Sequence, residues 1–141
     1  MHPVLRNIVA VVVGWLVGSV VNGCIVLLSN IVVPLPEGAD ISTLESLQAS
    51  IPLFSCKHFI MPFLAHALGT FVGAMVAAFI ARNHKMRSAL SVGVLFLVGG
   101  IINLYLLNPP LWFILVDLLL AYLPMAFLGG RIVLWYQTPR K

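Results

Sequence analysis

Four apolar stretches, at about residues 8–33, 59–81, 88–107 and 111–130, are each long enough to cross a bilayer. A hydrocarbon core of about 30 Å asks for roughly 20 helical residues, and every stretch meets that requirement. The first exceeds it by a turn or more, which predicts tilting or protrusion. The runs are continuous rather than alternating, which selects helices over the strands of a membrane barrel. Inside lipid every backbone polar group needs a partner, and a helix supplies one within its own segment. Composition agrees, because 61% of the 141 residues are hydrophobic and 9% charged. Mean hydropathy is +1.08, more apolar surface than a water-soluble fold can hide. The expected fold is all-α: one transmembrane domain, residues 1–141, forming an antiparallel up-down four-helix bundle.

Charge gives the topology. Arg6, Arg82, Lys85, Arg87, Arg131, Arg140 and Lys141, seven of the eight Lys and Arg, fall on one side, whereas Glu37, Asp40, Glu45 and Lys57 fall on the other. The positive-inside rule then puts both termini in the cytoplasm. The net charge of +4 follows the membrane, so it calls for no nucleic-acid partner. Val21-Asn22-Gly23-Cys24 is a poor lipoprotein cleavage box, because the apolar run continues past it to Val33.

The sizeable connection is the outer one, from Pro34 to about His58. Ser42-Thr43-Leu44-Glu45 reads as a capping box, and Ile41, Leu44, Leu47 and Ile51 recur at helical spacing. This predicts a short interfacial helix that lies on the membrane or folds over the bundle as a lid. In the tight turn between spans three and four, Asn108 is the expected N-cap and Pro109 the first helical residue. Cys24 and Cys56 lack a C-x-x-C spacing and read as buried free thiols, an outer disulfide being the alternative.

Membrane helices associate through close backbone approach at small residues. Gly69, Gly73 and Ala77 share one face of span two, and Gly14 and Gly18 repeat the spacing on span one. Packing within the monomer is one reading of these residues and a homo-oligomer interface the other. The basic run Arg82, Lys85 and Arg87, with Arg131, serves as a topology determinant or as an attractor of anionic lipid headgroups.

Ionisable side chains in hydrocarbon cost about 2.5–3.5 kcal/mol each on insertion scales, so each one is a candidate functional group. Two qualify, His66 and Asp117, both about 6–10 Å below the outer boundary. Asn22, Asn103 and Thr70 fall near the same depth, so each of the four helices brings a polar residue to one layer. One reading is a structural clasp in which the asparagines complete the hydrogen bonds of a His66–Asp117 pair. The other is a proton or ion site built on coupled titration of that pair. A metal site lacks a third donor, a Ser-His-Asp arrangement lacks its parts, and no catalytic residue or cofactor is expected. Pro124 frees a carbonyl near Leu120 and predicts a kink in span four.

His66-Ala67-Leu68-Gly69-Thr70, His84-Lys85-Met86-Arg87, Pro110-Leu111-Trp112-Phe113 with Asp117, and Tyr122-Leu123-Pro124-Met125-Ala126 together resemble small four-span proteins of the bacterial inner membrane. The likeness covers about half the chain and implies that location, but it brings no activity with it. Small multidrug transporters carry a glutamate in their first span, where this chain has Asn22, and the Thr/Phe/Ser-rich motif of small fluoride channels is missing. The expected function is therefore that of a non-enzymatic subunit or self-associating module among membrane lipids, as a homo-oligomer or in a larger complex. A proton- or ion-linked small transporter using His66 and Asp117 is the alternative, and a lipid- or quinone-reactive membrane enzyme is the third. The topology is tested by C-terminal fusions: a fluorescent protein should be bright and alkaline phosphatase inactive, and the reverse pattern contradicts it.

Overall fold

The computed structural model describes residues 2–138, so Arg140 and Lys141, two of the charges that set the expected topology, lie outside the described residues. Among the described residues the chain is all-helical, without strands, and four of its helical segments are long and apolar enough to cross a membrane. The order is α1 (Pro3–Val32), α2 (Leu44–Ser50), α3 (Ile60–Ile80), α4 (Lys85–Leu107), α5 (Leu111–Leu120) and α6 (Leu123–Gln137), with 3-10 turns at Ile51–Leu53 and Cys56–Phe59.

Local chemistry accounts for most of the boundaries. α1 begins five residues before the apolar run, because Pro3 opens the helix and His2 Nδ1 accepts from the Val4 N–H at 3.4 Å. The short helix α2 starts one residue later than the spacing suggested. Thr43 is the N-cap, and Ser46 rather than Glu45 completes the box with it. Ser42 is withheld from capping because Asp40 holds both its N–H (2.8 Å) and its hydroxyl (3.0 Å). Those two bonds keep the Asp40 carboxyl below the usual carboxylate range. Asn108 does not cap the fourth span. It ends α4 in the left-handed conformation (φ 45°, ψ 55°), which asparagine tolerates, and Pro109 and Pro110 then delay the next helix until Leu111.

Span four is two helices, not one with a bend. α5 stops at Leu120, Tyr122 leaves helical geometry (φ −112°, ψ −84°), and α6 restarts with Pro124 in its first turn, where a missing N–H is harmless.

α1 lies against α3 with the most extensive contact in the molecule, and α1 and α6 each touch both α3 and α4. An added Cβ at Gly14 would fall 2.5 Å from the Gly73 carbonyl oxygen and 2.8 Å from Ala77 Cβ, and one at Gly18 would fall 2.5 Å from the Gly69 carbonyl oxygen. The glycines and Ala77 thus meet within one chain, and the pairing of rising with falling numbers makes the two helices antiparallel. Only Ala10, Gly14 and Gly18 of α1 are buried, a stripe one residue wide. The remaining surface of α1 is apolar and open, with Leu27 78% and Ile31 76% exposed.

Towards the 81–84 turn, called here the basic end, the core is Ala74, Ala78, Ala89, Ala126 and Val133. Towards the 33–59 connection, the loop end, it is Ile51, Phe59, Leu104 and Phe113. The core is thus built of small residues at the basic end and of large ones at the loop end.

Two of the basic residues cap α3, with Arg6 Nε donating to the Ile80 carbonyl at 2.8 Å and Lys85 Nζ to that of Ala78 at 3.3 Å. Cations suit these unpaired carbonyls at the negative end of the helix dipole. Arg82, Arg87 and Arg131 are exposed. Cys24 and Cys56 are unpaired and exposed rather than buried, Cys24 on the outward side of α1 and Cys56 at the start of a surface turn.

Gly14→Val places a branched side chain against the backbone of α3 and should cost about 1–3 kcal/mol. The measurement is the unfolding midpoint in mild detergent. Gly23→Ala, whose added Cβ meets nothing within 4 Å, should hold or raise that midpoint.

Candidate functional site

The polar layer forms where the packing changes character. α3 carries His66, α5 carries Asp117, and the break that follows α5 carries Tyr122. His66 Nδ1 is 2.8 Å from Asp117 Oδ1, Tyr122 Oη donates to Asp117 Oδ2 at 2.6 Å, and Tyr122 Oη lies 3.0 Å from His66 Nδ1. The His66 side chain is 16% exposed and that of Asp117 not at all. Tyr122 is likewise enclosed.

Tyr122 gives its single hydrogen to Oδ2. His66 meets Oδ1 through Nδ1, and the tautomer of the ring sets which of the two donates. Among the described residues no side chain or carbonyl engages Nε2, so the ring is held at one nitrogen and open at the other.

The break in the fourth span makes the triad possible. On an unbroken helix, residues five apart point about 140° away from each other. The turn at Ala121–Tyr122 brings the phenol back over the Asp117 carboxylate. Gly100 on α4 makes room for it, because an added Cβ there would overlap Tyr122 Oη and come within 2.4 Å of Cζ.

Asn22 and Asn103 share the layer without joining the triad. Neither makes a side-chain hydrogen bond to His66, Asp117 or Tyr122, so the expectation that asparagines complete the clasp is corrected. Tyr122 fills that role. Instead the two asparagines and His66 line two adjoining cavities. The cavity towards the loop end, about 280 Å³, has Ile51, Phe54, Phe59, Leu104 and Phe113 in its walls and Leu47 of α2 over it. The other, about 190 Å³, runs between α1 and α4 past Trp15, Ser19, Leu95 and Gly99. Thr70, one turn from His66, is fully buried, and its hydroxyl has no hydrogen-bond partner.

The 33–59 segment is braced within itself and tied to α4 through Gln48. Ser50 and Asp40 exchange two hydrogen bonds of 2.9 Å through the Ser50 hydroxyl, Gln48 Nε2 donates to the Leu106 carbonyl, and His58 Nε2 lies 3.2 Å from the Pro34 carbonyl. α2 therefore folds over the helix ends as a lid.

The sequence pointed to His66 and Asp117 because ionisable groups stand out in apolar runs. Tyr122 was missed because a phenol in such a run reads as one more large apolar residue. Pro124, two residues on, was the available signal. The chain matches no protein-family model, no curated protein and no solved structure.

Tyr122→Phe removes the donor to Asp117 Oδ2 and leaves a buried acceptor unmet, at a cost of about 1–3 kcal/mol. Gly100→Ala should act in the same direction by displacing the phenol. Both are read from unfolding in detergent titrated with dodecyl sulfate.

Proposed function

We propose that this is a multi-pass protein of the bacterial inner membrane, both termini cytoplasmic, whose four spans form an antiparallel bundle. Its polar layer is a clasp with an open face. Asp117 and Tyr122 lock the broken fourth span against α3 and α4, and through Asp117 they orient His66 towards cavities on the outer side. The protein acts without catalysis, as a binding module or small subunit, and the lid formed by α2 controls entry to the cavity.

The observation that carries this reading is that Asp117 is fully buried with both oxygens engaged by donors from other parts of the fold. A buried carboxylate in such a setting is retained for the helices it joins, and removing it leaves its donors stranded. Placement in a membrane is supported by large side chains that face outward along all four spans, among them Leu27, Phe79, Leu119 and Tyr105.

Proton-linked transport is the second reading, and one observation favours it: His66 borders both cavities with one nitrogen free. Against it, the alanine tier between this layer and the basic end is closely packed, which leaves His66 with access from one side.

Asp117→Ala should cost about 3–5 kcal/mol, because it strands the Tyr122 hydroxyl and the His66 ring. In parallel, wild-type protein in liposomes should give no pH-driven flux above empty vesicles. Flux that Asp117→Asn abolishes while leaving stability intact would instead support transport.

A further inference from the structure

Whatever enters the cavity under the lid meets two different environments. Its walls are aromatic and aliphatic, and ionisable side chains there are confined to His58 near the top and His66 at the floor. The floor, formed by Asn22, His66 and Asn103, is polar. A charged group would lose its hydration here without gaining a counter-ion, so the fitting head is uncharged. At about 280 Å³ the space holds one substituted ring and little more. The second cavity meets the first at the same three residues and opens sideways between α1 and α4, where Trp15 is 42% and Leu95 44% exposed. A chain attached to the ring can leave by that opening into the lipid.

The hydrogen-bonding character of the floor sharpens the choice. Asp117 engages Nδ1 of His66, which leaves Nε2 as the ring nitrogen for a ligand. In the tautomer that donates from Nδ1, Nε2 accepts, and a ring hydroxyl is the matching donor. The amides of Asn22 and Asn103, which no group among the described residues engages, offer donors and acceptors for a second ring oxygen.

We propose that the cavity under α2 is a binding site for a membrane-soluble quinol, its hydroxylated ring above His66 and the asparagines and its apolar tail leaving between α1 and α4. The proposal concerns binding alone. It rests on the clasp of the preceding subsection only in that Asp117 sets the state of His66. The reduced form binds more tightly than the oxidised quinone, since the quinone brings no hydrogen for Nε2 to accept. The site distinguishes this ligand from an ordinary alkyl lipid by the two-oxygen head.

The test uses decyl-ubiquinol, with decyl-ubiquinone and decanol for comparison, added to the full-length protein in nanodiscs and followed by tryptophan fluorescence, Trp15 lining the tail opening. Decyl-ubiquinol should bind about tenfold or more tightly than either. His66→Ala and the double variant Asn22→Ala/Asn103→Ala should each weaken it by about tenfold. Val26→Trp, which fills the cavity from α1 without touching the triad, should abolish it and keeps the test valid should His66→Ala fail to fold. Equal binding of decanol and decyl-ubiquinol, or binding undiminished in Val26→Trp, overturns the proposal. Failure of the clasp reads separately, as an unchanged unfolding midpoint in Asp117→Ala.

Discussion

The structure is organised around a carboxylate that water does not reach. Asp117 is tolerable inside apolar helices only if both oxygens receive donors, and those donors must come from groups held still. Tyr122 can be one of them because the fourth span breaks after Leu120 and restarts at Leu123. The phenol fits because α4 has glycine at position 100. His66 is the other, at a depth set by the close approach of α3 to α1 along the Gly14, Gly18, Gly69 and Gly73 contacts. Helix break, glycine gap and histidine register thus answer one electrostatic demand.

A second consequence comes from side-chain size. Alanines make up most of the core between α3, α4 and α6 at the basic end, whereas Phe59, Phe113 and Leu104 fill it at the loop end. The two cavities that His66 borders lie on the loop-end side of the alanine tier, and Leu47 of α2 lines the one nearer the loop. The pair Ser50 and Asp40 braces the lid within itself, and Gln48 reaching the Leu106 carbonyl ties it to α4. His66 sits between the Asp117 contact and the two cavities, so one side of its ring is held while the other is open.

Much of this was legible in the sequence, for identifiable reasons. Span number and length follow from apolar runs, since lipid leaves a helix little choice. His66 and Asp117 announced themselves because a costly residue needs a reason. The glycine spacing on α1 and α3 carried the register of their contact. Less was legible where local competition decides. Asn108 suits either end of a helix, and the prolines after it made it a C-cap. Ser42 and Thr43 both suit an N-cap, and Asp40 took the first of them. The role of Tyr122 depends on a break in the chain that turns its side chain by a large part of a circle, which a periodicity argument built on straight helices does not contain. Asn22 and Asn103 were placed at the right depth, but depth alone does not say whether an amide meets a neighbour or a cavity.

The central claim is that Asp117 holds the His66 ring through Nδ1 and leaves Nε2 open. Nitrogen-15 solid-state NMR of histidine-labelled protein in lipid, with the His66 signals assigned by their loss in His66→Gln, reads this directly. The account predicts an Nδ1 hydrogen-bonded to a carboxylate, an arrangement that disappears in Asp117→Ala. An Nδ1 without that hydrogen bond would contradict it.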